Sequence, residues 1–234
     1  NINYFNPKLS LRFNPSNMKN YSADDRKIYN NNLFDLNRLG LFDTLESGQS
    51  LTVGFDYKKE KVDDINRYFE FDLGKIFRDK NISEIPESST INNKESNLIG
   101  SITSNMNKYM KFTYDFSVNN NLDELEYNAF GTTISINNFV TSFNYVEENN
   151  KIGSTHIIEN NTSYVLSDKY SIKFRTRRNR EINLTEYYDL IYEYKNDCLV
   201  AGISYNKTYY NDRELEPSED FMFTIKLTPI TSFG

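Results

Sequence analysis

An all-β antiparallel sheet, wound up and down as in a transmembrane β-barrel, is the fold this sequence predicts. Three observations predict it. Apolar and polar residues alternate with period two along most of the chain, as in strands with one greasy and one wet face. Long and short polar connections alternate between those segments. Aromatic residues reach 15%, all Tyr and Phe, in a chain only 38% hydrophobic and with a mean hydropathy of −0.69. Disordered chains of such polarity lack aromatics, so the apolar side chains must be placed selectively. The bias toward Asn, Lys, Ile, Tyr and Phe also fits an AT-rich genome, which says nothing of function.

The segments follow in chain order. Leu51, Val53, Phe55 and Tyr57 oppose Thr52, Gly54 and Asp56, and Met110, Phe112, Tyr114 and Phe116 oppose Lys111, Thr113, Asp115 and Ser117. Residues 124–136 alternate less cleanly, with a switch of parity near Ala129–Phe130 that predicts a bulge, and 152–166 is weaker again. Tyr170, Ile172 and Phe174 then oppose Ser171, Lys173 and Arg175; Tyr188, Leu190, Tyr192 and Tyr194 oppose Asp189, Ile191, Glu193 and Lys195. Leu199, Ala201, Ile203 and Tyr205 face away from Val200, Gly202, Ser204 and Asn206. The clearest segment is the last, 219–229, where Phe221, Phe223, Ile225 and Leu227 form one face and Met222, Thr224, Lys226 and Thr228 the other. These and weaker segments add to roughly twelve strands of about ten residues, the length of a tilted membrane-spanning strand.

Long or medium connections are expected at 14–48, 77–95, 119–123, 148–152, 179–183 and 211–218, and tight turns near 59–64, 105–108, 136–138, 167–169 and 195–198. Outer-membrane barrels sort their connections this way, with long loops outside and short turns in the periplasm. A soluble antiparallel sheet would show the alternation without the sorting. Loop 14–48 is long for a structureless connection, so it is expected to fold inward or pack on its own side chains.

Composition narrows the function classes. A net charge of −6 and a pI near 5.0 argue against a nucleic-acid partner, which needs a basic face. No stretch approaches the roughly 18 apolar residues of a transmembrane helix. The chain opens at Asn1 without the charged and apolar regions of a signal peptide, as expected of a mature N-terminus or a fragment. Its single cysteine, Cys198, builds no internal disulfide framework and reads equally as a free thiol. His156 is the one histidine, so a multi-histidine metal site is excluded. A hydrolase triad using His156 and Ser154 has no motif behind it. No cofactor is expected.

Between 32 and 54 the sequence is unusual: apolar residues are interleaved with Asp35, Asn37, Arg38, Asp43, Glu46 and Gly48. The Arg38 guanidinium could bridge Asp35, Asp43 or Glu46 through paired hydrogen bonds and stiffen the loop. An amphipathic turn with solvated charges is the alternative.

The order Phe34-Asp35-x-Asn37-Arg38, then Asp43, then Glu46-x-Gly48, then a strand bearing Gly54, resembles the core of the barrel domain of the LptD family of lipopolysaccharide-assembly proteins. Pro7-Lys8-Leu9 resembles the start of a family strand. The stretch 184–198, where Cys198 follows a short acidic turn, is similar to the closing hairpin, and Glu216-Pro217-Ser218 with the last strand continues the likeness. Well-studied members carry two adjacent cysteines, whereas here Cys198 is followed by Leu199; at most one interdomain disulfide can form from this point. The resemblance implies that 1–234 is the C-terminal part of a barrel of more than roughly twenty strands, with an N-terminal jellyroll and the first strands lying upstream. It further implies an outer-membrane location in a Gram-negative bacterium and lipopolysaccharide as cargo. The implied partners are an LptE-like lipoprotein plug, a periplasmic lipopolysaccharide bridge reached through the jellyroll, the barrel-insertion machinery and outer-membrane lipid. Cys198 becomes the interdomain disulfide candidate. The alternatives are another transport barrel, a porin or TonB-dependent receptor, or an outer-membrane phospholipase.

Two further sets of residues follow from parity. Phe221, Phe223, Ile225 and Leu227 would face lipid, as insertion signal and gate strand. Lys173, Arg175 and Arg177 point to the wet face, continued by Arg178 and Arg180 into the next loop. A column of like charge needs something acidic or anionic opposite it. Asp189 and Glu193 on the following strand could supply it, or the phosphates of lipopolysaccharide could, since Arg suits phosphate oxygens.

Overall fold

A computed structural model describes residues 1–149, 154–209 and 216–227. Twelve strands run in sequence: β1 (Ile2–Asn14), β2 (Gly48–Lys61), β3 (Asp64–Arg78), β4 (Leu98–Asn107), β5 (Met110–Val118), β6 (Leu125–Ile136), β7 (Phe139–Glu148), β8 (Thr155–Ser167), β9 (Tyr170–Asn179), β10 (Leu184–Lys195), β11 (Leu199–Thr208) and β12 (Glu219–Leu227). They form one antiparallel sheet in the order β1 to β12, each strand beside its neighbours in sequence. The expected all-β up-and-down fold is what is found, with β1 and β12 as its two edges among the described residues. Residues 62–63, 108–109, 137–138, 168–169 and 196–198 close the tight hairpins, and every other connection is longer. In a meander this sorting sends all long connections to one end of the strands. Positions 228 and 229 of the expected last strand, and most of the expected connections 148–152 and 211–218, lie outside the described residues.

Two compact units make up the chain: 1–108 with 112–130 and 147–154, and 109–111 with 131–146 and 155 onward. In the first, β1, β2 and β3 pair residue for residue, so that Leu9, Val53 and Lys75 share one face and Ser10, Thr52 and Ile76 the other. Onto the second face fold the two long connections. Met18, Ile28, Leu33, Leu39 and Leu41 from one, and Ile82, Ile85 and Ile91 from the other, form a buried cluster with Ile76 and Ile99. A single 3₁₀ turn, Glu87–Ser89, lies within it. Each fully buried aliphatic side chain here contributes about 2 kcal/mol of transfer free energy, which is what orders a connection too long to stand alone.

Two glycines make the close approach possible. Gly54 pairs with Gly74 across β2 and β3. The Leu33 methyl lies where a Cβ on Gly74 would fall, and the Phe34 ring stands 3.0 Å from the corresponding point on Gly54.

In the second unit, β8 to β12 hold most of their apolar residues on one face, with Val165, Ile191, Val200 and Met222 on the other. Tyr164, Ile172, Tyr192, Ile203 and Phe223 are in register across the five strands. All buried hydrophobic residues among those described belong to the first unit. Among the described residues, none covers the apolar face of the second unit.

Candidate functional site

On the polar face of the first unit, Glu46 is the hub that holds the loop between β1 and β2. The Arg38 guanidinium is fully buried and grips both carboxylate oxygens: Nε donates to Oε2 at 2.7 Å and Nη2 donates to Oε1. Arg38 also donates to Thr52 Oγ1 at 3.0 Å and to Ser50 Oγ at 3.1 Å, which ties the loop to β2. From β3, Arg78 reaches the same carboxylate through Nη1 and the Ser47 carbonyl through Nη2 at 2.5 Å. From β1, Arg12 Nη1 stands 4.0 Å from Glu46, and its Nη2 donates to the Asp35 carbonyl. One carboxylate thus joins residues of three strands to the loop.

The neighbouring motif residues shape the backbone. Asn37 closes a tight turn on itself, its amide accepting from Leu41 N–H at 3.0 Å and donating to Leu41 O at 2.7 Å. Gly48 begins β2 with φ +84°, and a Cβ there would meet Ile82 at 2.7 Å. Asp43 is not a partner of Arg38. It accepts from Lys19 and from Tyr21 Oη, at 2.6 Å for the latter, and the Lys19 ammonium followed by the Tyr21 hydroxyl holds its carboxyl below the usual carboxylate range. Of the three carboxylates that the sequence offered to Arg38, the fold selects Glu46.

Further along, the same loop is strapped across the polar face. Asn30 donates to Asp72 of β3 at 3.1 Å, Tyr29 meets Tyr127 of β6 edge-on with ring centroids 5.2 Å apart, and Lys27 pairs with Glu148 of β7. Sequence reasoning missed these contacts, together with Arg12 and Arg78. The signal it had was the pair of strand glycines, which mark a close backbone approach, and the spacing of Ile82, Ile85 and Ile91 in the second loop.

In the second unit, Lys173, Arg175 and Arg177 of β9 stand on the polar face and each meets a carboxylate. Lys173 lies 3.8 Å from Glu193, Arg175 2.6 Å from Asp189, and Arg177 2.7 Å from Glu186 and 3.3 Å from Glu159. Asp189 also accepts from Asn206 of β11. Arg178, on the opposite parity, donates to Asn183 Oδ1 at 2.6 Å. Cys198 is a free thiol in the turn between β10 and β11, where its N–H donates to Asn196 Oδ1 at 3.0 Å. His156 lies at the start of β8, its carbonyl accepting from Arg180 N–H at 2.7 Å.

On β12, Phe221, Phe223, Ile225 and Leu227 pair with Tyr205, Ile203, Ala201 and Leu199 and are between 59% and 75% exposed. As an edge strand β12 is exposed on both faces, so the register with the apolar face of β11 fixes which way these side chains point.

No curated protein gives a significant match. The family model described as LptD, LPS transport system D, matches residues 2–170. This stretch runs from β1 through β8 and contains the whole Glu46-centred loop, while the hairpin carrying Cys198 and strand β12 lies beyond it. With well over half its length matched and an all-β antiparallel meander as its fold, the chain belongs to the LptD family of lipopolysaccharide transport proteins.

Proposed function

We propose that this chain is part of the wall of an outer-membrane barrel through which lipopolysaccharide reaches the outer leaflet. The two-faced sheet of a lipopolysaccharide-transport family member carries the reading: one face is apolar and uncovered, the other is lined with paired charges and amides. The apolar row meets lipid, and the polar face offers wet sugars a path lined mainly by charged and amide side chains. The role is transport, with no chemical step. The long loops face the outside of a Gram-negative cell and the tight turns the periplasm.

Within this reading the chain is the C-terminal part of the barrel, with a jellyroll and further strands upstream. The jellyroll receives lipopolysaccharide from a periplasmic bridge, an LptE-like lipoprotein fills the lumen, and β12 is both the signal for the insertion machinery and one lip of the exit. Cys198, on the periplasmic side, pairs with a cysteine of the upstream domain. Lys173, Arg175 and Arg177 pass lipopolysaccharide phosphates along β9 by exchanging their carboxylate partners for phosphate oxygens. These cations are at least a third exposed and so open to a phosphate, while Asp189 and Glu186 opposite the arginines are buried, so the phosphate must offset the cost of leaving those carboxylates.

Depletion and complementation test the proposal. In a cell whose own lipopolysaccharide translocon is depleted, the full-length protein with its lipoprotein partner should restore lipopolysaccharide at the surface. A folded barrel in the outer membrane with no restoration would refute it.

A further inference from the structure

Lys173, Arg175 and Arg177 on the polar face of β9 are already matched by carboxylates. Among the described residues, a second group of cations on that face is not. The chain's own register places it: Lys195 of β10 pairs with Val200 of β11, and Val200 pairs with Lys226 of β12. Lys195 and Lys226 therefore stand on one face, two strand spacings or about 10 Å apart, with Val200 between them. The Lys195 N–H donates to the carbonyl of Lys169, in the turn between β8 and β9, at 2.8 Å. The three lysines line one cleft of about 610 Å³ at the turn end of the strands. Asp168 and Asp197 are on its rim, yet among the described residues neither forms an ion pair with any of the three.

A row of like charge across neighbouring strands is unfavourable unless an anion faces it. Lysine ammoniums are compact charges with three donors each, suited to sharing the several oxygens of a phosphoryl group. Counting both aspartates, the cleft still carries an excess of positive charge. Val200 at its floor adds an apolar contact, which favours an amphiphile's headgroup over a fully hydrated ion.

We propose that Lys169, Lys195 and Lys226 form a phosphoryl-binding site at the turn end of β8–β12. Within the transport reading above, which this deepens, it is where the phosphates of the incoming glycolipid first meet the sheet, before the paired cations of β9.

The test uses the full-length protein in lipid nanodiscs and three probes: a phosphorylated glycolipid, the same glycolipid stripped of phosphate, and inorganic phosphate. The wild type should prefer the phosphorylated glycolipid by about tenfold, the worth of one charge-assisted contact. K169Q/K195Q/K226Q should lose that preference while unfolding at no lower a temperature, because it relieves repulsion. K169R/K195R/K226R, which keeps the charge, should retain the preference and guards against a misfolded Gln variant. Lysine-dependent binding of inorganic phosphate without binding of either glycolipid would keep the anion site and remove the transport reading. Equal binding of the two glycolipids by the wild type, or an unchanged preference in the Gln variant, would overturn the site and leave the transport reading standing.

Discussion

The Leu33 side chain occupies the space that a side chain on Gly74 would need. A loop residue thereby takes the place of a strand residue on the polar face, and the loop core rests on that contact. Leu33→Ala should cost about 2–5 kcal/mol, as other buried leucines do. Gly74→Val should cost about 1–3 kcal/mol through overpacking and should be partly rescued by Leu33→Ala. Denaturant unfolding of the purified barrel reads both effects. Strictly additive losses in the double variant would show that the two positions are not in contact.

Glu46 is the anion shared by Arg38 and Arg78, whose side chains are fully buried. Removing one partner of a buried pair leaves an uncompensated charge, so Glu46→Ala should destabilise the protein by about 3–5 kcal/mol. Asp43→Ala, whose partners are the exposed Lys19 and the half-buried Tyr21, should cost much less. Arg38→Lys keeps the charge but loses the paired donors and should fall between them. Protease cutting between 15 and 47 in the folded barrel is a direct readout. If Glu46→Ala leaves that loop as resistant as the wild type, the hub does not hold it.

The strands were legible in the sequence because alternation is local: each segment carries its own evidence of which residues share a face. The sorting of long and short connections was equally local, and it supplied the barrel reading. The Glu46 hub was half legible. Arg38 needed a carboxylate, but the choice of Glu46 over Asp35 and Asp43 depends on Arg12, Ser50, Thr52 and Arg78, which come together only once β1, β2 and β3 are in register. The loop core was hidden for the same reason, since Leu33, Ile85 and Ile91 join one buried cluster only once the strands that carry their loops are paired. Lys169, Lys195 and Lys226 are far apart in the chain and ordinary singly, and four strand elements in register are needed to line them up.

Phe223 and Thr224 are neighbours on β12 with opposite facing, by their pairing with Ile203 and Gly202. Phe223→Arg places a charge toward lipid and should cost about 2–4 kcal/mol near the bilayer midplane, blocking assembly. Thr224→Arg points to the polar face and should be tolerated. The amount of heat-modifiable barrel in outer-membrane fractions distinguishes them, and equal assembly of the two would refute the facing.

Cys198 lies in a tight turn at the end of the strands proposed to face the periplasm, where disulfides form readily. Full-length protein should migrate differently on non-reducing and reducing gels, and Cys198→Ser should remove its contribution to that difference. The same mobility for wild type and Cys198→Ser under non-reducing conditions would show that the thiol stays free.

Transport of lipopolysaccharide along the polar face makes a direct prediction about which strand positions meet the cargo. Asn161 of β8 is in register with Arg175 on that face, and Tyr164, paired with Ile172, lies on the apolar face toward the turn end. A photoreactive amino acid placed at 161 or at 164 in the full-length protein reports which face meets the cargo in living cells. Newly made lipopolysaccharide should be captured at 161 and not at 164, and capture should fade when its synthesis is stopped. Capture at 164 alone, or at neither position in a folded barrel during active transport, would rule out a path along the polar face.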